Sequence, residues 1–328
     1  MIFYFLILLV TLIFSKPNKG SLILHLVILA IISLKGEVGP DFSGYYNRYL
    51  YFDSVFSLTQ SRGEVMWYFL EYFTYIFKLD YQVYTLFTGV VGVGFLYAAQ
   101  KNINYLGFVF FIFQIVLIQL GLSGMRQFIA TCILIYIVSD YLFNSKKSPW
   151  KFVFYILLAS SFHISALTMI FILPFLYKLL KWQVFILLVF GSVALFSEII
   201  TSAVDTYDTR YLQNSRDSVG AWFRFIVTVI VIFFGFKGAS SRLQNLGKVI
   251  LILGIILGIV NTIGLHRYNY YFFPVGLLLL IKNYQLGNIK KLTMNKVYII
   301  TLFYFFSWWS FSSHAIHFMP YNFFFTNN

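Results

Sequence analysis

The sequence predicts an all-α, polytopic membrane protein with about ten to thirteen transmembrane helices. Hydrophobic residues make up 60% of the 328 residues and charged residues only 11%. Apolar runs long enough to span a bilayer recur along the whole chain, and such a run satisfies its backbone in lipid by forming a helix. The net charge of +13 would suggest nucleic acid in a soluble chain. Here the lysines lie between apolar runs, as charges that orient membrane helices do, so no nucleic-acid partner is expected.

The predicted spans form a single integral membrane domain over residues 1–328. They are residues 2–15, 21–36, 82–99, 104–120, 121–143, 151–178, 182–200, 221–236, 247–265, 267–281 and 296–313. Residues 1–15 lack a basic start and an A-x-A-like cleavage site, so they are interpreted as an uncleaved first span.

Lysine-rich connections define the cytoplasmic side of the predicted bundle. They contain Lys16, Lys19, Lys101, Lys146, Lys147, Lys151, Lys178, Lys181, Lys237, Arg242, Lys248, Lys282, Lys290, Lys291 and Lys296. Between two such connections the chain must cross an even number of times. Segment 151–178 should therefore enter and return, turning near residues 160–163 with His163 toward the outer face. The same rule makes 64–78 a re-entrant or interfacial helix and places the loops 37–63 and 201–220 outside.

Arginines follow the opposite distribution from lysines in this topology. Seven of the eight lie outside or in the outer part of a span: Arg48, Arg62, Arg126, Arg210, Arg216, Arg224 and Arg267. The planar guanidinium binds phosphate or carboxylate through two parallel hydrogen bonds and keeps its charge when desolvated. The outer half of the bundle is therefore predicted to bind an anionic group.

Two polar residues lie inside apolar stretches, where they are costly and often functional. Arg126, in Met125-Arg126-Gln127, is either a structural arginine at the interface or an anion ligand. His163, in Phe162-His163-Ile164-Ser165, is either a hydrogen-bonded core histidine or a proton acceptor, since unperturbed imidazole has a pKa of roughly 6.5.

Other motifs are less specific. The segment Gly39-Pro40-Asp41-Phe42-Ser43-Gly44-Tyr45-Tyr46 predicts either a tight turn with an Asx cap or a sugar-binding loop, and Arg267 and Tyr271 are spaced to share a helix face. His314 and His317 have no carboxylate nearby, and Cys132 is the only cysteine, so no metal and no cofactor is expected. Walker, GxGxxG, HExxH and GxSxG signatures are absent.

The motifs together resemble the EpsG family of Wzy-like polysaccharide polymerases over nearly the whole chain. The resemblance is carried by Gly39-Pro40-Asp41…Tyr45, Glu64 before an aromatic run, Gly124-Met125-Arg126-Gln127-Phe128-Ile129-Ala130, Ser161-Phe162-His163-Ile164-Ser165-Ala166-Leu167, Arg267…Tyr271 and Pro320-Tyr321-Asn322. The Met-Arg-Gln…Ala and Phe-His-x-Ser-Ala elements are the specific part.

The resemblance implies a metal-independent glycosyltransferase of GT-C-like architecture in the bacterial cytoplasmic membrane. Its substrates would be repeat units carried on undecaprenyl pyrophosphate, joined at the outer face to make O antigen, capsule or exopolysaccharide. Membrane lipids, a flippase and chain-length regulators are implied partners. His163 would be the base, with Asp41 or Glu64 in reserve. Pyrophosphate and glycan would be bound by Arg126, Gln127, Arg210, Arg216, Arg267, Tyr45 and Tyr271. A lipid-linked glycan ligase or a flippase remains an alternative.

Overall fold

The computed structural model describes residues 19–52, 64–103, 119–144, 148–173, 215–236, 241–260, 262–311 and 317–318. Every extended regular element in these ranges is helical, and they contain no β-strand. This agrees with the all-α prediction. The spans expected at 2–15 and 182–200, and most of the span at 104–120, lie outside the described ranges.

The helices, numbered along the chain, have the following bounds. They are α1 (Lys19–Ser33), α2 (Phe42–Leu50), α3 (Val65–Ile76), α4 (Tyr81–Ile103), α5 (Met125–Phe143), α6 (Pro149–Phe162), a 3₁₀ helix (Ile164–Ile172), α7 (Ser215–Phe236), α8 (Ser241–Val260), α9 (Thr262–Gln285) and α10 (Lys291–Phe311). The chain divides into two compact units, residues 1–167 with 298–328, and residues 168–297. The sequence predicts one membrane domain over 1–328, and this division into two units does not test that prediction.

Two helices are long and apolar enough to cross a membrane, α4 and α5. Shorter apolar helical stretches occur at Leu22–Ser33, Pro149–Phe162, Gly220–Phe236 and Gln244–Ile256. In the part of the chain that is described, the count of spans thus stays below the ten to thirteen that the sequence predicts.

In the first unit, α1, α4 and α5 pack through small and hydroxyl-bearing residues of α4. Gly89 faces the Ser33 hydroxyl, and Gly92 faces the ring of Phe128, so neither position has room for a Cβ. Thr85 donates a hydrogen bond of 2.9 Å to the Ser33 carbonyl. Close approach through glycine and hydroxyl residues is how helices associate in lipid, where apolar burial between helices gains little.

Helix α3 turns its polar residues inward and its apolar residues outward. Glu64, Trp67, Glu71 and Thr74 recur at helical spacing and are buried, whereas large side chains on the other faces, such as Phe69, are exposed. A water-soluble helix has the opposite arrangement, so this one suits an apolar solvent. Its 12 residues span only about 18 Å, too short for a bilayer core of about 30 Å. Both features agree with the predicted re-entrant or interfacial helix.

The connection after α1 is hydrogen-bonded to the turn that precedes α5. Lys35 is buried and donates hydrogen bonds to the carbonyls of Gly121 at 3.2 Å and Leu122 at 2.7 Å. Gly39 has φ of +91°, and an added Cβ would lie 2.9 Å from the Leu122 carbonyl oxygen. Its N–H bonds the His317 carbonyl at 2.9 Å. These contacts fix the backbone around Asp41.

Segment 151–178 is interrupted at His163. Helix α6 ends at Phe162, His163 is extended with φ −153° and ψ 113°, and a 3₁₀ helix begins at Ile164. The sequence placed a turn at 160–163, and the break occurs at the end of that stretch. The predicted return crossing extends beyond residue 173, where the described range ends.

In the second unit, α7 packs closely on α9. A Cβ at Gly235 would lie 2.8 Å from the Gly276 carbonyl oxygen, so the two backbones nearly touch. Arg224 is buried in α7 and donates a hydrogen bond of 2.7 Å to the Tyr270 hydroxyl.

Two boundaries differ from the sequence prediction in this unit. Helix α7 starts at residue 215, inside the predicted outer loop 201–220. The break between α8 and α9 falls at residue 261 rather than at 266. Polar residues such as Arg216 and His266 therefore belong to helices whose starts hydropathy places later.

A candidate active site centred on Glu64

Glu64 precedes the first residue of α3 and is 3% exposed. Its carbonyl accepts the Tyr68 N–H at 3.0 Å, but its side chain makes no capping hydrogen bond to the helix. The carboxylate is therefore available to groups from other elements. Arg126, on the first turn of α5, and His163, at the end of α6, both reach it.

Arg126 forms an ion pair with Glu64 through Nη1 and Oε2. Gly124 precedes α5 and provides no side-chain cap, and Arg126 is the second residue of the helix. The guanidinium lies over the Tyr45 ring, 5.8 Å from its centroid. Its side chain is 34% exposed, against 4% for Glu64. In the described part of the chain, the buried Nε has no hydrogen-bond acceptor. The guanidinium can thus hold Glu64 on one edge and a ligand on another.

His163 places Nδ1 2.6 Å from Oε1 of Glu64, and the Ile164 N–H donates to the same oxygen at 3.3 Å. An ionised carboxylate only accepts hydrogen bonds, so Nδ1 carries a proton, and in the neutral imidazole Nε2 then holds the lone pair. The extended backbone at His163 brings the ring and the next N–H to one carboxylate. Glu64 therefore sets both the tautomer and the orientation of His163.

The surroundings of Glu64 keep it ionised. Burial by itself would raise the pKa of Glu64, but the hydrogen bond from His163, the charge of Arg126 and the Ile164 N–H hold that pKa below its ordinary value. Burial raises the pKa of the neighbouring Tyr45 phenol, so Tyr45 stays neutral. Glu64 is consequently a poor proton acceptor and a good partner for two donors.

A second ion pair lies on the same face of α3. Arg48 of α2 places Nε 2.6 Å and 2.8 Å from the two carboxylate oxygens of Glu71, and the Trp67 indole N–H donates to Glu71 at 2.8 Å. Trp67 also packs edge-on against Tyr45, with ring centroids 5.6 Å apart. The two pairs are thus joined through an aromatic layer.

Asp41 bonds the turn before α5. The Ser123 hydroxyl donates to its Oδ2 at 2.9 Å, and the Asp41 N–H donates to Ser123 Oγ at 3.2 Å. The chain turns tightly here, with the Phe42 N–H bonded to the Gly39 carbonyl at 3.2 Å, but the Asp41 side chain makes no capping bond to α2. Asp41 also helps to hold the charge of Lys35, whose pKa burial lowers to about 7 although Asp41 raises it.

The structure brings together several of the residues that the sequence singled out. Glu64, Arg126, His163 and Tyr45 form one cluster, and Gln127 follows on α5 with a buried side-chain Nε2 that has no acceptor in the described ranges. Arg267 is half-buried and Tyr271 is buried in α9 of the second unit. Arg210 lies outside the described residues, and of Arg216 only the backbone, in the first turn of α7, is described. These positions leave the predicted catalytic and binding roles as predictions.

The site residues predicted from the sequence did not include Arg48, Glu71, Trp67, Ser123 and Lys35. One signal could have found part of this set: Glu64, Trp67 and Glu71 recur at spacings of three and four residues, which place them on one helix face. Two carboxylates on one face of an apolar helix call for two cationic partners. In the described ranges, no three His, Cys, Asp or Glu side chains meet as a metal site would require, and His314 falls outside those ranges.

These observations define a helical membrane protein with a buried carboxylate that holds an arginine and a histidine. Residues 21–323 match the EpsG family, and the chain belongs to that family. Membership confirms the resemblance drawn from the motifs and indicates a polysaccharide-polymerase-like function. No curated protein and no solved structure matched the chain.

Proposed function

We propose that this protein is a polysaccharide polymerase of the cytoplasmic membrane, with a GT-C-like helical bundle and a site that faces outward. The observation that carries the proposal is the shared carboxylate of Glu64. It holds Arg126, which is suited to binding a phosphate, next to His163, which is suited to accepting a proton. The donor would be the growing chain on undecaprenyl pyrophosphate. The acceptor would be one lipid-linked repeat unit, and no metal would take part.

In the proposed reaction, the acceptor hydroxyl oxygen attacks the anomeric carbon of the donor sugar. The bond between that carbon and the pyrophosphate oxygen breaks, and its electron pair leaves with the lipid pyrophosphate. The hydroxyl proton passes to Nε2 of His163, and the resulting imidazolium is stabilised by Glu64 through Nδ1. A positioned base of this kind contributes about 10²–10⁴-fold to a rate.

Arg126 would stabilise the negative charge on the leaving pyrophosphate. A fixed guanidinium in a poorly solvated site does so without reorganising during the reaction. Gln127 and Tyr45 would contact the same ligand from the first turns of α5 and α2. Arg267, Tyr271, Arg210 and Arg216 remain proposed ligands from the rest of the chain.

Glu64 fits a positioning role better than the role of reserve base. Its pKa is held low and both of its oxygens already accept hydrogen bonds. Asp41 fits a role in shaping the mouth of the site, because it bonds Ser123 directly before the turn into α5.

The proposal is tested by the lipid-linked oligosaccharides that accumulate in a strain lacking this protein. A polymerase predicts single repeat units, restored to long chains by the wild-type gene but not by a His163→Gln copy expressed to the same level. Intact but untransferred chains would instead identify a ligase, and precursors facing the cytoplasm would identify a flippase. Either of these two results would overturn the proposal.

A further inference from the structure

The second ion pair on α3 has the same construction as the first. Glu71 lies seven residues after Glu64 on the buried face, and its side chain is 4% exposed. Its carboxylate is held by the Trp67 indole on one oxygen and by Nε of Arg48 on both. As at Glu64, a buried carboxylate of α3 fixes an arginine that arrives from a different helix.

Arg48 keeps hydrogen-bonding capacity that this pair does not use. Nε faces the carboxylate, whereas the buried Nη2 has no acceptor in the described part of the chain. Nε of Arg126 is likewise buried without an acceptor in the described residues. A guanidinium that served only to hold two helices together would be expected to satisfy its buried donors within the protein. A buried donor without an acceptor is suited to an acceptor that a ligand brings.

Both arginines are neighbours of Tyr45. Tyr45 and Arg48 are three residues apart on α2 and so share a face. Arg126 lies over the Tyr45 ring, which in turn packs on Trp67. The glutamates that hold the two arginines are separated by a rise of about 10 Å along the helix. A ligand with two linked anionic groups fits this separation, with a hydrogen bond of about 2.9 Å at each end.

We propose that Arg48, positioned by Glu71, is the second guanidinium for the pyrophosphate of the lipid-linked substrate. Arg126 shares a carboxylate with His163, so the phosphate attached to the reacting sugar lies at Arg126. The phosphate attached to the lipid then lies at Arg48, beside the outward apolar face of α3. The pair selects diphosphate over monophosphate carriers. The identity of the ligand rests on the proposed function, but the Arg48–Glu71 pair is a feature of this chain.

The test measures binding by the full-length protein in nanodiscs, with undecaprenyl pyrophosphate and undecaprenyl phosphate as probes. Arg48→Lys keeps the charge but loses the planar fork. It should weaken binding of the diphosphate by about tenfold or more and leave binding of the monophosphate unchanged. Glu71→Gln should lower the same preference by releasing Arg48. Lys151→Met is the matched control, because it removes an ion pair, Lys151–Asp140 at 2.7 Å, that lies about 21 Å along α5 from Arg126.

Two results would overturn the inference. One is an Arg48→Lys protein with an unchanged preference for diphosphate, whatever its melting temperature, which would make Arg48 a structural tie. The other is wild-type protein that does not distinguish the two lipids. Because the assay needs no polymerisation, an Arg48-dependent preference in a protein that makes no polymer would refute only the proposed function. Polymerisation with Arg48-independent binding would refute only this inference.

Discussion

At Glu64, one carboxylate accepts hydrogen bonds from Arg126 on one oxygen and from His163 and the Ile164 N–H on the other. Removing one partner from a buried ion pair typically costs about 3–5 kcal/mol of stability, because the remaining charge is left without compensation. Truncations at these positions would therefore confuse chemistry with folding. Variants that keep size and hydrogen bonding are the informative ones.

His163→Gln should fold and bind lipid pyrophosphate but reduce transfer by about 10²-fold or more, because an amide cannot take the acceptor proton. The measurement is polymer formed from purified lipid-linked repeat units, alongside the melting temperature. His25→Gln is the matched control, since His25 is also buried in the first unit, against Tyr97. Normal transfer by His163→Gln would make His163 a core histidine.

Arg126→Lys should lose most activity although the charge is kept, because an ammonium cannot hold Glu64 and phosphate through separate edges. Chain lengths from cells that express the variant at the normal level give the measurement. Arg242→Lys, on the predicted cytoplasmic side, is the control. Chains of wild-type length from Arg126→Lys would return Arg126 to the role of a structural anchor.

Lys35 should make stability depend on pH. Its pKa in the folded protein is about 7, against 10.5 for an ordinary lysine, so between these values the unfolded chain binds more protons than the folded one. Stability therefore rises with pH between about 7 and 10.5, and below about 7, where the amine is protonated in both states, this group adds no further pH dependence. The melting temperature of wild type minus that of Lys35→Met should increase from pH 7 to pH 10. A constant difference would contradict the burial of the amine.

Arg126 and His163 could be singled out from sequence because a polar residue inside an apolar run is conspicuous. Their connection through Glu64 could not. The partners lie 62 and 99 residues apart along the chain, and no local pattern encodes which carboxylate meets which cation. Arg48 was recognised as an outer arginine, but its partner Glu71 was not identified.

At the scale of elements, hydropathy located the helices but misplaced some of their ends. The extra turns at the start of α7 and of α9 contain polar residues such as Arg216 and His266, which lower a hydropathy average without interrupting a helix. The predicted first outer loop contains a helix, α2, which carries Tyr45 and Arg48. Helix α3 was predicted to be re-entrant or interfacial, and its short length and inward polar face agree.

A substitution in the loop before α2 tests the contact between the segment after α1 and the turn before α5. Gly39→Ala should destabilise the protein by about 1–3 kcal/mol, because its φ is positive and a Cβ would meet the Leu122 carbonyl oxygen. Gly44→Ala is the control, since its Cβ would meet nothing. Because Gly44 lies within α2, Gly44→Ala should stabilise the protein by about 0.5–1 kcal/mol. Thermal unfolding in detergent measures the stability of both variants. Equal effects of the two substitutions would contradict the close contact between Gly39 and the Leu122 carbonyl.

For the whole molecule, the predicted topology places Lys146, Lys147 and Lys290 in the cytoplasm and Asp53, Arg210 and Asp217 outside. Cysteines introduced at these positions, in a Cys132→Ser background, should react with an impermeant thiol reagent on intact cells only at the outer set. Labelling at 147 but not at 210 would refute the topology. The structure brings residues 64, 126 and 163 together, as one side of a membrane requires.

The order of synthesis has a consequence for how Glu64 reaches its buried position. Glu64 leaves the ribosome 99 residues before His163, which at about 5–20 residues per second is a delay of roughly 5–20 s. A carboxylate placed in lipid without its partners is expensive. We expect α3 to wait at the membrane surface, with its glutamates in water, until α5 and α6 have inserted. Docking of the third helix would then follow insertion of the fifth and sixth, which is not the order of their synthesis.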